Sequence, residues 1–155
     1  MVAILWFLGR LPRRLGRLLV APVGPLMMRL LGSRRRIAQR NIQIALPELS
    51  PPEQDQLLRR SFASLARMIA ETAWCWAGRP HELDHLVEYR GLDHALAAHG
   101  QPGGLLIVTA HVTCLEIGAR ALGEYLAGRG LYRPLSNPVM EWYQNRGRSR
   151  YAEGM

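Results

Sequence analysis

Two stretches of the chain set ionisable residues at spacings that can carry chemistry. The first is His81-Glu82-Leu83-Asp84-His85, which fits the H-E-x-x-H pattern of zinc peptidases. That pattern works when both histidines lie one turn apart on a helix with the glutamate beside the metal as base. The context argues against it. Pro80 directly precedes His81, and an apolar segment of strand character begins at Leu86. A helix here would be one turn long and exposed, with no hydrophobic flank to hold it. His94 and His99 are conceivable third ligands, but the stretch reads as a solvated polar link, and no metal is expected.

The second stretch is TAHVTCLE, in which Glu116 follows His111 by five positions. Within one continuous helix, side chains at i and i+5 diverge by about 140° and do not meet. If the helix begins just after His111, the histidine occupies the strand–helix turn and Glu116 the first helical turn, within mutual reach. Reactive groups gather at such carboxyl ends of strands. A carboxylate that keeps one imidazole nitrogen protonated leaves the other free to accept a proton, which is the general-base half of a triad. The chain has no G-x-S-x-G elbow, and neither Cys75 nor Cys114 sits in a nucleophile motif. The dyad would therefore activate a hydroxyl on the substrate. The competing structural reading is that Thr113 and Glu116 form a capping box and His111 fills a polar core site.

These residues need elements to position them. Residues 37–46 read as a short helix ending before Pro47. Ser50 as N-cap, Pro51 at the first helical position and Glu53 three residues after the cap start a long helix running to about Ala77. Its apolar face is Leu57, Leu58, Phe62, Leu65, Met68, Ile69, Ala73 and Trp76. Beyond Gly78-Arg79-Pro80 the texture changes. Segment 86–91 alternates like a strand, 92–99 is a short helix, and 104–110 (GLLIVTA) is a continuous apolar run expected to be a buried central strand. A helix over 113–127, a strand over 131–134 and a helix over 138–146 follow. The expected fold class is α/β: N-terminal helices, then a mixed or parallel sheet flanked by helices.

The 155 residues carry 12 acidic and 20 basic side chains, a net charge of +8, and all the bases are arginine. Such a balance favours anionic partners, and arginine forks suit phosphates and carboxylates. Two cysteines make no disulfide framework. The first 32 residues are rich in Leu, Val, Met and Trp but are interrupted by Arg10, Arg13, Arg14, Arg17 and Arg29. No apolar run there reaches the ~18–20 residues of a spanning helix. The segment 1–32 therefore reads as an amphipathic, basic stretch lying in a membrane interface, broken into two pieces near Pro22, Gly24 and Pro25, with Arg34-Arg35-Arg36 as a cytoplasmic-side flank; a soluble basic helix pair packed on the core and a tilted anchor are the alternative readings. Residues 33–155 form the second division.

The stretches LLIVTAHVTCLEIGAR and YRPLSNPVMEWYQNRGRSR, with RRRIAQRNIQIALPELSPPEQDQLLRRSF before them, together resemble the lipid A biosynthesis lauroyl/myristoyl acyltransferase family. The likeness lies in an ordered set: His111 and Glu116 after a hydrophobic strand, Tyr132-Arg133-Pro134, Asn137 with Pro138, and Gly147-Arg148. Many members carry Gly-Asn-Trp inside the His-x4-Glu box; here it is Thr113-Cys114-Leu115, which looks closer to the lauroyltransferase branch. The resemblance implies a glycerolipid acyltransferase-like fold. It also implies transfer of a fatty acyl chain, lauroyl or similar, from acyl carrier protein to a hydroxyacyl chain of a Kdo-bearing lipid A precursor, at the cytoplasmic face of the bacterial inner membrane. His111 and Glu116 would be catalytic; Arg148, Arg133 and Asn137 would bind substrate or support its loop. No cofactor is implied, because a thiolate leaves readily. The family's domain is about twice as long, so the chain is expected to be its N-terminal part and apparently truncated. The alternative reading is a non-catalytic basic membrane-binding or adaptor module. Nucleic acid is not an expected partner, since no aromatic-interleaved basic platform or known motif is present.

Overall fold

The computed structural model describes residues 1–78, 86–126 and 128–152. Among these residues the chain is helical and contains no β-strand. Eight helices are described: α1 (Val2–Leu8), α2 (Arg13–Val20), α3 (Val23–Leu30), α4 (Gly32–Ala45), α5 (Pro51–Ala77), α6 (Leu92–His99), α7 (Leu115–Gly123) and α8 (Pro138–Arg148).

The expected sheet is overturned. Segments 86–91, 104–110 and 131–134 are not strands. The apolar run that was to be a buried central strand is exposed, Leu106 at 83% and Val108 at 86%. A strand has no internal hydrogen bonds and exists only through a ladder with a neighbour. A continuous apolar run reports a tendency toward burial, but it cannot supply the neighbouring strand. Helices carry their own hydrogen bonds, and the helical expectations fare better. The long helix and the helix over 92–99 have the expected bounds, while α4 begins at Gly32 and α7 is confined to Leu115–Gly123.

The N-terminal region divides differently from expectation. Its breaks fall between α1 and α2 and at Ala21-Pro22, whereas Gly24 and Pro25 lie inside the first turn of α3. Proline is tolerated there because the first N–H groups of a helix have no intrahelical acceptor. No single helix among the described residues is long and apolar enough to cross a membrane. Arg13–Leu30 and Gly32–Ala45 reach that length and composition only as a pair bent through 90°.

The chain forms two compact units, one of Leu11–Ala70 and one of Met1–Arg10 with Glu71–Met155. In the first, α3 packs against α4, and α5 presents Leu58, Phe62, Ala66 and Ala70 as a buried stripe at four-residue spacing. Small residues make close approach possible. A Cβ at Gly24 would lie 3.0 Å from the Phe62 carbonyl oxygen. The stripe explains why Leu57, Leu65 and Met68, expected on the apolar face by their spacing, are only half-buried. In the second unit, α1 packs against α8 and turns Leu5 and Leu8 inward, leaving Ile4, Trp6 and Phe7 exposed.

At the start of α5 the Glu53 half of the expected box is in place. The Glu53 carboxylate accepts from the Ser50 backbone N–H at 2.8 Å and from its hydroxyl at 2.6 Å. Leu58, 1% exposed, anchors the same helix to the core. Glu53→Ala is expected to lower stability slightly through loss of its bonds to Ser50, and Leu58→Ala to cost more, about 3 kcal/mol, through cavity formation. Urea denaturation followed by far-ultraviolet circular dichroism measures both; equal costs would contradict this division.

Candidate active site

Glu116 lies in the first turn of α7, and three side chains from two other parts of the chain converge on it. Trp76, near the end of α5, donates its indole N–H to Oε2 at 2.8 Å. Tyr151, just beyond α8, donates its hydroxyl to the same oxygen at 2.8 Å. Arg148, in the last turn of α8, spans the carboxylate: its Nε lies 3.0 Å from Oε1 and 3.2 Å from Oε2, and its terminal nitrogen pairs with Oε1. Both members of this ion pair are largely buried, with side chains 19% and 12% exposed.

Burial is the largest single influence on Glu116 and pushes its pKa up. The hydrogen bonds from Arg148, Trp76 and Tyr151, with the Arg148 charge, together outweigh it and hold the carboxyl below the ordinary carboxylate range. Arg148 is the mirror case: burial pulls its pKa down, and Glu116 more than restores it. The Tyr151 hydroxyl is raised by burial and by the adjacent carboxylate, so it remains a donor. Cys75, buried in α5, is pushed up to about 12 by desolvation, which makes it a poor nucleophile.

The geometry of α8 explains how Arg148 reaches Glu116. Asn137 caps the helix: its side-chain oxygen accepts from the backbone N–H of Val139 and of Met140, each at 3.1 Å, with Pro138 opening the helix. Glu141 ties the preceding loop to the helix by accepting from the Leu135 N–H at 2.8 Å, and it pairs with the Tyr132 hydroxyl. At the far end, Gly147 lies against Trp76, so closely that a Cβ there would stand 2.5 Å from the indole Cγ. The Tyr132 ring flanks Arg148 with its centroid 6.0 Å from the guanidinium carbon.

The structure therefore brings together Glu116 and Arg148 of the expected site residues. It places Asn137 at a helix cap and Arg133 on the surface. His111 is exposed, and it is not among the described donors to Glu116. Trp76, Tyr151 and Glu141 were not singled out from the sequence as site residues. Trp76 carried one usable sign, an indole N–H on an apolar helix face that requires an acceptor. The HELDH stretch, residues 81–85, lies outside the described residues. Among the described residues no group of three or more His, Cys, Asp or Glu could hold a metal ion.

The site is thus an arginine-bound glutamate on the first turn of a helix, five positions after a histidine. Comparison with known proteins defines the class. The chain matches the bacterial lipid A biosynthesis acyltransferases over residues 1–155, and it belongs to that family. Among its relatives, the lipid A biosynthesis lauroyltransferase of Escherichia coli K12 is 31% identical over 154 residues, covering 99% of this chain and 50% of the relative. The palmitoleoyltransferase of the same strain is 30% identical over 154 residues with the same coverage. A lipid A biosynthesis acyltransferase of Haemophilus influenzae Rd is 32% identical over 125 residues, covering 80% of this chain and 40% of the relative. The chain thus spans about half the length of the curated relatives it matches. No solved structure matches it.

Glu116→Gln keeps the shape of the cluster and removes the charge facing Arg148. It is expected to destabilise the chain by about 3 kcal/mol at neutral pH, since one member of a buried pair loses its partner. Because Glu116 has a lowered pKa when folded, its stabilisation is complete above the unfolded carboxyl pKa and is lost as pH falls through the folded value. The difference in urea midpoint between wild type and Glu116→Gln should therefore shrink on acidification; a difference constant with pH would contradict this account. Gly147→Ala should displace Trp76 and cost about 1–3 kcal/mol, read as a change in indole fluorescence together with the midpoint.

Proposed function

We propose that this chain provides the His-x4-Glu part of an acyltransferase that moves a fatty acyl group onto a lipid A precursor. The observation that carries the reading is the ionised Glu116 held by Arg148, Trp76 and Tyr151 at the start of α7, five positions after His111, in a chain of this family. The proposed donor is an acyl thioester of acyl carrier protein, and the acceptor is a hydroxyl on an acyl chain of the precursor. His111 takes the hydroxyl proton as general base, and the oxygen attacks the thioester carbonyl. The tetrahedral intermediate collapses with the thiolate leaving, and the imidazolium returns the proton to it. Glu116 orients the imidazole and balances its charge, His111 taking the place of one of the donors now on the carboxylate. Catalytic hydrogen bonds often tighten only when substrate is bound. Arg148 keeps the carboxylate ionised and adds positive charge near the developing oxyanion. Arg133 and Asn137 support the substrate-facing loop, Asn137 through the cap on α8.

The proposed location is the cytoplasmic face of the inner membrane. The exposed Ile4, Trp6, Phe7, Leu15, Leu18, Leu19, Leu26 and Leu30 support this, interleaved as they are with arginines in residues 1–32. A second reading, a non-catalytic membrane-binding module that keeps the motif as scaffold, is favoured by the exposure of His111 and the full set of donors on Glu116. One assay separates the two. Transfer from acyl carrier protein to a lipid A precursor in detergent is expected to fall by about 10²–10⁴ in His111→Ala and strongly in Glu116→Ala. Equal product from wild type and both variants would rule out the dyad, and no product from any of the three would favour the module.

A further inference from the structure

A cleft of about 360 Å³ within the unit of Met1–Arg10 and Glu71–Met155 has Trp6 and Arg10, Trp76 of α5, Tyr143 and Arg146 of α8, and Arg150 in its walls. Among the described residues the cleft lining includes three arginines and no carboxylate. Arg10 lies with its guanidinium carbon 4.3 Å from the Trp6 ring centroid. Arg150 donates to the backbone carbonyls of Trp76, at 3.0 Å, and Gly78, at 3.1 Å. These contacts hold the two side chains without neutralising them. Arg146 lies 5.8 Å from the Trp142 ring. Among the described residues none of the three forms a salt bridge.

A second, independent feature points to a ligand. Tyr143 is 7% exposed, and its hydroxyl is buried with no hydrogen-bond partner among the described residues. Burial raises its pKa, while the charges of Arg10 and Arg150 act in the opposite direction, so both arginines are close enough to act on the hydroxyl. A buried donor is ordinarily paired, and its missing acceptor is a group that also suits two guanidinium forks. An oxyanion meets both demands. The aromatic walls, Trp76 edge-on to Tyr143 with centroids 5.8 Å apart, suit an amphiphile better than a bare ion. Beside them, α1 exposes Ile4 at 62% and Phe7 at 55%, a surface for entering a lipid interface.

We propose that this cleft binds the phosphodiester headgroup of an anionic membrane lipid. Arg10 and Arg146 take the phosphate oxygens, and the Tyr143 hydroxyl donates to one of them. The lipid source rests on the membrane-surface reading above; the anion site rests on the cleft. Trp76 forms one wall and donates its indole N–H to Glu116, so an occupied cleft seats the lipid surface directly behind the Glu116 cluster.

The test is calorimetric titration of the full chain with dihexanoylphosphatidylglycerol below its micelle concentration, with dihexanoylphosphatidylcholine and inorganic phosphate as the other arms. Saturable binding of the phosphatidylglycerol is expected, tighter than either alternative. Arg10→Gln and Arg146→Gln should each weaken it about tenfold, and Tyr143→Phe about fivefold. Circular dichroism should show unchanged thermal unfolding, both arginines being exposed. Variants that bind like wild type would overturn the site. Equal affinity for inorganic phosphate or phosphatidylcholine would overturn the anionic-lipid assignment. Sedimentation with phosphatidylglycerol vesicles separates the two readings. Failure of the wild type to sediment, with arginine-dependent binding of the short-chain lipid retained, refutes the membrane-surface reading and upholds the cleft. Sedimentation with no effect of the variants on the short-chain lipid refutes the cleft alone.

Discussion

A buried carboxylate must be charged and paired, or neutral, and Glu116 is held charged. Desolvation works against its ionisation, and three donors from elements remote in sequence reverse that tendency. The condition ties the unit together. The end of α5 must bring the Trp76 indole forward, α7 must begin where its first turn presents Glu116, and α8 must end with Arg148 and Tyr151 facing it. Loss of any one leaves a buried charge or donor without its partner, a cost that often exceeds what the intact pair contributes to stability. Buried ion pairs of this kind constrain arrangement more than they raise overall stability.

The residues of the Tyr-Arg-Pro, Asn-Pro and Gly-Arg motifs acquire a common purpose in this light. Asn137 fixes where α8 starts, and Tyr132 with Leu135 is bound to Glu141 on its first turn. Gly147 allows the helix to lie on Trp76 without a side chain between them. These contacts set the position and rotation of the helix, and so the direction of Arg148. Motif residues able to bind a ligand can thus act through the backbone they hold. In the proposed reaction, His111 joins a carboxylate whose charge and position are already determined by others.

The N-terminal region follows a different physics. Short helices rich in leucine and arginine bury few of their side chains and leave large apolar ones exposed. Water is an unfavourable solvent for such a surface, whereas a lipid interface accommodates both its apolar and its cationic parts. Breaks after α1 and at Pro22 keep these helices short, so none is long enough to span a bilayer.

Local rules were enough to read the long helix α5, its start at Ser50 and Glu53, the helix over 92–99, and a helix start ahead of Glu116. Each depends on contacts between residues only a few positions apart, as do caps and helical hydrogen bonds. Glu116 and Arg148 stood out in ordered motifs, but their pairing was not legible, since 32 positions separate them. The expected sheet failed for the converse reason. A hydrophobic run at 104–110 states a preference for burial, yet a strand requires partners that its own residues cannot provide. Trp76, Tyr151 and the aromatic cleft with its arginines were likewise hidden, because they are defined by which helices meet. The sequence by itself determined the course of α5 and α6, the positive charge and the residue types available for chemistry. The tertiary structure alone decided which of those residues meet, because burial and charge compensation depend on neighbours brought together from distant parts of the chain.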